Sequence, residues 1–423
     1  MNSLKQRLLN GAFWSLLGAV TGRGFVLLAF MLVARIIGKY AYGELGIIRS
    51  TINLFTVVSG MGIGYTASKY IAQYRDSDSV NAANIYMLSN FISVCTGIIG
   101  SAVLILSASY IAEYSLKNPC LEIDIQIGAI VLLFTTINGA QSGALSGFEA
   151  FKKIAINTFI SSLIQGILLI ILCSYYGVSG CVLALGIGCM CLSILNNRSI
   201  KAELNNRNMI PSLRSVKRDS LNILWKFTIP ALLSSIVIIP VLWWAKTFLV
   251  SNVGYEEMAI FDVADQWSIM VLFIPCTLAQ IILPLLSNIM VGGTQKQYLK
   301  LVRVNLLLNF VISSCVAFLI VICGPFILSL YGKDFVQTGP LYLMMIASVL
   351  ISICNVVGSV IASKDKMWAG LGFNMVWAVW IILFTVMFKD LGAKGLALAI
   401  VLSYTLHFIA QFLYICNILK SRI

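Results

Sequence analysis

Charged side chains stand inside long apolar runs of this chain, at corresponding places in its two halves. Arg23 lies mid-way along the run Gly11–Ala34, and Arg49 lies within the next run. Asp262 and Asp265 lie early in a run of the second half. A charge at the centre of a bilayer costs at least ~2.5–3.5 kcal/mol on insertion scales, so such groups face a bundle interior or a wet cavity. A guanidinium offers a planar fork of donors that matches phosphate oxygens. Two carboxylates three residues apart share a helix face. They either pair with Lys246 or an arginine, or titrate in a proton or sodium relay. The set predicts a transporter with a polar, largely cationic lumen.

The other candidates are graded by position. Arg23 is flanked by Gly22 and Gly24, and Gly18-x-x-x-Gly22 matches a close-packing helix face. Its depth argues for a lumen position over snorkelling. Asn53 follows Arg49 by four residues and shares its face. Arg35 and Lys246 end their runs near the outer face, where they line the lumen or snorkel to the interface. Lys246 follows Trp243 and Trp244, which suit an aromatic belt. Glu44 and Glu257 sit at run edges, in contact with water. Lys69, at the cytoplasmic end of the second run, either meets an anionic headgroup or serves topology. Gly60-Met61-Gly62-Ile63-Gly64 lacks the strand and the Lys-Ser/Thr of a phosphate loop and reads as helix packing. His407 has Gln411 four residues on and no carboxylate nearby in sequence, a poor proton relay. Cys189 and Cys191 have no second pair or histidine for zinc, and most other cysteines lie in apolar runs as small hydrophobes. No nucleophile–base set, metal spacing or nucleotide motif emerges, so the chain is read as a non-enzyme without a cofactor.

The elements that must position these residues are membrane helices. The chain is 59% hydrophobic and 11% charged, whereas a soluble domain carries about 25% charged residues. About twelve runs reach the roughly 20 residues of a span. They lie near 11–34, 43–67, 85–110, 125–147, 154–176, 178–196, 223–248, 258–290, 303–330, 340–362, 367–388 and 392–417. The basic start Met1–Arg7, followed by a long apolar run, reads as a first span with a cytoplasmic N-terminus, not a cleavable leader. Lys and Arg then crowd the inside loops, which satisfies the positive-inside rule and places both termini in the cytoplasm. That bias explains most of the +13 net charge and points to membrane lipids, not nucleic acid.

The sequence also repeats weakly. Gly177–Ala184 resembles Gly392–Ala399, and the turn Phe148–Lys153 falls on Ser363–Trp368, both at an offset of 215 residues. Trp14 falls on Trp225 and Tyr42-Gly43-Glu44 on Tyr255-Glu256-Glu257, at offsets of 211 and 213. Six spans per half make the halves parallel repeats. The expected architecture is all-α, with an N-terminal lobe over 1–197, a cytoplasmic linker over 198–222 and a C-terminal lobe over 223–423, around a central cavity. Pro230, Pro240, Pro275 and Pro284 either bend spans 7 and 8 or are ordinary membrane-helix prolines.

Several N-terminal motifs carry a resemblance. They are Gly11-Ala12-Phe13-Trp14-Ser15, Gly22-Arg23-Gly24, Ala34–Gly38, Tyr42–Gly46 and Gly60–Gly64 followed by Lys69-Tyr70-Ile71-Ala72. With them the chain resembles the polysaccharide transporter family, and within it O-antigen flippases of the Wzx type, of the multidrug/oligosaccharidyl-lipid/polysaccharide exporter superfamily. The resemblance implies a MATE-like fold in a bacterial inner membrane. It implies a flippase moving undecaprenyl-pyrophosphate-linked oligosaccharide to the periplasmic leaflet by alternating access, as a step of lipopolysaccharide or other surface polysaccharide biosynthesis. Arg23, Arg49, Arg35 and Lys246 would then engage the headgroup, with Lys69 meeting it on the cytoplasmic side. Asp262, Asp265 and Glu44 would couple H+ or Na+ or pair charges. Other polysaccharide-assembly proteins are the implied partners. The rivals are a cation-coupled drug exporter of the same superfamily, which would want an acidic aromatic pocket, and a polytopic polysaccharide-assembly enzyme, which would want a large outer loop.

Overall fold

The computed structural model describes residues 4–60, 62–75, 77–207, 209, 237–292, 294–364 and 366–420. Among them all regular structure is helical. Lipid supplies no hydrogen-bond partners, so a spanning backbone must satisfy itself, and the helix does so within one segment.

Unit 1 holds α1 (Leu4–Gly60), α2 (Ile63–Tyr74), α3 (Ser79–Tyr110), α4 (Glu122–Gly147) and α5 (Phe151–Asn206). Two of these fold back on themselves. α1 breaks at Gly38 (φ 79°, ψ 171°) into arms 4–37 and 39–60, and α5 breaks at Gly177 (φ 56°, ψ −129°) into arms 151–176 and 178–206. Positive φ is strained for residues with a Cβ, so glycine permits each reversal. Counting arms, unit 1 crosses six times. Unit 2 holds α6 (Val237–Asn252), α7 (Tyr255–Gly292), α8 (Gln295–Ile322), α9 (Gly324–Tyr331), α10 (Thr338–Ser363), α11 (Met367–Met387) and α12 (Gly392–Lys420). All of these but the short α9 read as spans. α7 continues through Pro275 and Pro284 as one helix.

The two units form separate compact clusters, 1–236 and 237–423. In unit 1, α4 is central and touches α1, α2, α3 and α5. In unit 2, α10 is central and touches α7, α8, α11 and α12. The two central helices correspond at the repeat offset. So do the reversals, since Gly392 (φ 58°, ψ −135°) repeats the backbone of Gly177 at the start of the sixth span.

Glycines set the closest approach in unit 1. A Cβ on Gly64 would fall 2.5 Å from the Gly139 carbonyl oxygen, and one on Gly143 would strike the Gly64 backbone. A Cβ on Gly18 would meet the Ala155 Cα at 2.5 Å, and one on Gly22 would meet the Ser162 hydroxyl at 3.0 Å. Small residues thus bring α2 onto α4 and α1 onto α5, as membrane helices without a hydrophobic drive between them require. Polar bonds add to this. Asn138 donates to the Cys189 carbonyl at 2.9 Å. Asn157 donates to Asn196 and Ser199, each at 2.9 Å. In unit 2 Ser348 donates to Ser268 at 2.7 Å.

The stretch 198–222, expected as a linker, begins as helix, because α5 runs to Asn206 with Ile200 and Leu204 buried. Lys153 and Arg207 both pair with Glu203, at 2.8 and 3.2 Å, and hold that last turn in place. Trp225, Lys226, Pro230 and the rest of 210–236 lie outside the described residues.

Candidate functional site

The reversal at Gly38 sets the depth of the buried charges. Arg23 precedes it by fifteen residues and Arg49 follows it by eleven. At 1.5 Å per residue these lie about 22 and 16 Å from the turn, within a hydrocarbon core about 30 Å thick.

Helix geometry then gives their direction. The exposed apolar side chains of the first arm, Leu28, Leu32 and Ile36, follow Arg23 by five, nine and thirteen residues. At 100° per residue that strip is centred about half a turn away from Arg23. Arg23 is itself exposed, but on the flank it shares with buried Phe30 and Ala34. The Arg49 guanidinium stacks on that same Phe30 ring, 4.3 Å from its centroid. The structure therefore brings Arg23, Phe30 and Arg49 to one wall of α1, opposite its apolar strip. Arg35 is exposed near the Gly38 rim, a third of a turn round toward that strip, and does not join them.

Lys69 stands exposed on α2, 5.2 Å above the Tyr70 ring. Glu44 is half-buried and accepts from Asn118 at 2.8 Å. The α1–α2 end of unit 1 collects further cations. Arg75 donates to the Gly147 carbonyl at 2.9 Å and pairs with Glu149 at 2.5 Å. Arg207 donates to the Phe148 carbonyl at 3.0 Å. Together they clasp the turn between α4 and α5.

In unit 2 the Lys246 ammonium meets Asp265 at 2.7 Å and lies 5.6 Å from the Phe261 centroid. Asp262 is buried and accepts from Gln266 at 2.6 Å. Of the two partners open to Asp265, the lysine is the one it takes. His407 is buried, edge-on to Phe373 and Tyr404.

Sequence reasoning missed Asp124, a buried carboxylate in the first turn of α4 that accepts from the Ser179 hydroxyl. Just beyond the Gly177 reversal, that bond anchors the sixth span. Glu257 does the matching work in unit 2, accepting from the Ala393 backbone N–H at 2.7 Å. Negative charge at a helix N-terminus complements its dipole. The sequence held no local signal for either bond, since Asp124 precedes Gly177 by 53 residues and Glu257 precedes Gly392 by 135. Among the described residues no group of His, Cys, Asp or Glu is placed to hold a metal ion.

These features define a polytopic all-α membrane protein of the MATE type of fold. A multidrug resistance MATE family transporter of the MOP superfamily, in an inward-facing conformation, matches with a TM-score of 0.78 at 15% identity, over 96% of this chain and 98% of that one. An outward-facing conformation matches at 0.76 and 16%, over 99% and 96%. A MOP superfamily transporter from Pyrococcus furiosus, described by the reverse polarity of its binding pocket, matches at 0.75 and 15%, over 99% and 96%. At such identities the likeness is one of fold. The family model for polysaccharide biosynthesis proteins matches residues 8–290, and the chain belongs to that family. Among curated relatives, the EPS I polysaccharide export inner membrane protein EpsE of Ralstonia nicotianae is 28% identical over 167 residues. Its counterpart in Ralstonia solanacearum is 26% identical over the same length. These alignments span 38% of this chain and 38% of each relative.

Proposed function

We propose that this protein is a flippase for a lipid-linked oligosaccharide in a bacterial inner membrane, with both termini in the cytoplasm. Its substrate is a polyprenyl diphosphate carrying an O-antigen or related surface polysaccharide repeat unit. The observation that carries the reading is the Arg23–Phe30–Arg49 wall of α1. Two guanidinium groups at membrane depth, turned from the apolar strip, suit a diphosphate that must leave water without losing its hydrogen bonds. The sugars follow the diphosphate, and the prenyl tail stays in lipid. Support comes from the family, from the export role stated for EpsE, and from inward- and outward-facing forms of proteins that share the fold. Those two forms fit an alternating-access cycle. Lys69 would meet the headgroup on the cytoplasmic side. Within unit 2, the Lys246–Asp265 pair would give coupling to H+ or Na+ a place to act.

The test is Arg23→Ala in a strain lacking the native gene. The mutant protein should reach the membrane at normal levels, while surface polysaccharide falls at least tenfold and lipid-linked repeat units accumulate on the cytoplasmic leaflet. Normal export by a well-expressed mutant would sink the role of Arg23. Drug sensitivity of the deletion strain with polysaccharide intact would favour a drug exporter instead.

A further inference from the structure

We infer that Asn53 reads the first sugar next to the diphosphate. The inference rests on the flippase reading above and adds a specificity-determining residue to its site. Asn53 is exposed, fifteen residues past Gly38, on the inward run of the second arm of α1. Arg23 is fifteen residues before Gly38. Arms that fold back at one glycine bring residues at equal separation to the same depth, so Asn53 and Arg23 share one layer of the membrane, about 22 Å from the turn. Arg49 lies one turn nearer the turn on the face of Asn53. The Arg49–Phe30 stack already joins that face to the flank of Arg23. Three polar groups thus border one patch of the two arms.

Among the described residues the Asn53 amide engages no hydrogen bond, unlike the nearby Thr56 hydroxyl, which donates to the Ile52 carbonyl at 2.8 Å. An exposed amide at mid-membrane depth with no internal partner would be costly against acyl chains. The exposed large hydrophobic residues of this arm, Tyr40 and Val58, both lie about 140° round the helix from Asn53. The amide therefore faces a wet chamber or a ligand. Its carbonyl and NH2 offer both an acceptor and donors, which suits a hydroxyl or N-acyl group on a pyranose and is wasted on a phosphate, which only accepts. One helical turn, about 5.4 Å, separates it from Arg49, on the scale of a phosphate-to-ring spacing.

The test uses the full-length protein in nanodiscs and two probes, undecaprenyl diphosphate and the same lipid bearing one N-acetylglucosamine. Wild type should bind the glycosylated lipid more tightly than the bare one. Asn53→Ala should weaken the glycosylated lipid about 3- to 10-fold, the loss of one neutral hydrogen bond, and shift the bare lipid by less than about twofold. Arg49→Ala should weaken both probes. If Asn53→Ala weakens both equally, or neither, the sugar contact is overturned while the diphosphate reading stands. If wild type binds neither probe, the diphosphate reading fails and this inference with it.

Discussion

Lys246 and Asp265 show how much of a charge's role a sequence discloses. Their positions near helix ends and the three-residue step from Asp262 to Asp265 told that a pair or a relay was at hand. Which cation Asp265 takes depends on the rotation of α6 against α7, and no periodicity encodes that. The 2.7 Å contact, with side-chain exposures of 15% and 27%, predicts a specific mutant pattern. Breaking a fully buried pair from one side costs about 3–5 kcal/mol because it strands a charge, whereas removing both partners can be neutral. With partial exposure, Lys246→Leu or Asp265→Leu alone should cost on the order of 2 kcal/mol. The double Leu variant should recover most of that in thermal denaturation in detergent. Transport by the double variant separates the roles. If it transports normally the pair is structural only, and if it is stable but inactive the pair belongs to the coupling step.

At the level of helices, the glycine pattern was half legible. The sequence told that Gly60–Gly64 packs a helix, but not that Gly64 alone makes the close contact, against Gly139 and Gly143 on α4. A helix face can be read from spacing, whereas the surface it meets depends on a contact distant in sequence. The structure also makes the glycines near that contact unequal. A Cβ on Gly64 or Gly143 strikes backbone that cannot move aside, while one on Gly139 or Gly60 meets open space. Gly64→Ala and Gly143→Ala should therefore cost about 1–3 kcal/mol by overpacking. Gly139→Ala should be neutral or slightly stabilising, because alanine is the better helix former. Melting temperatures of the four purified variants, Gly60→Ala included, decide it, and equal losses at Gly64 and Gly139 would refute the close approach described here. The end of α5 was less legible. The polar run after Asn196 reads as a connector by composition, yet Glu203 draws Lys153 and Arg207 onto a helix that continues to Asn206.

For the whole molecule, span number and the twofold plan could be read from the sequence because hydropathy and parallel repeats are written along the chain. Gly177 and Gly392 share one unusual backbone conformation, and α4 and α10 share one central place. Sidedness rests on charge. Lys69, Arg75, Lys152, Lys153, Arg198, Lys201 and Arg207 crowd one end of unit 1, while Glu44, Glu113, Glu122 and Asp124 mark the other. The positive-inside rule predicts that the first end faces the cytoplasm. The natural cysteines make this testable without new labels. All eleven are free thiols, and Cys120 and Cys323 are exposed. Cys120 lies in the turn after the third span and Cys323 in the turn after the ninth. An odd number of crossings puts both on the side opposite the N-terminus. A membrane-impermeant maleimide added to cells with a permeabilised outer membrane should label the wild-type protein. Cys120→Ser with Cys323→Ser should remove most of that label. Labelling of these two thiols only in inside-out vesicles would invert the orientation. It would also reverse the direction proposed for transport.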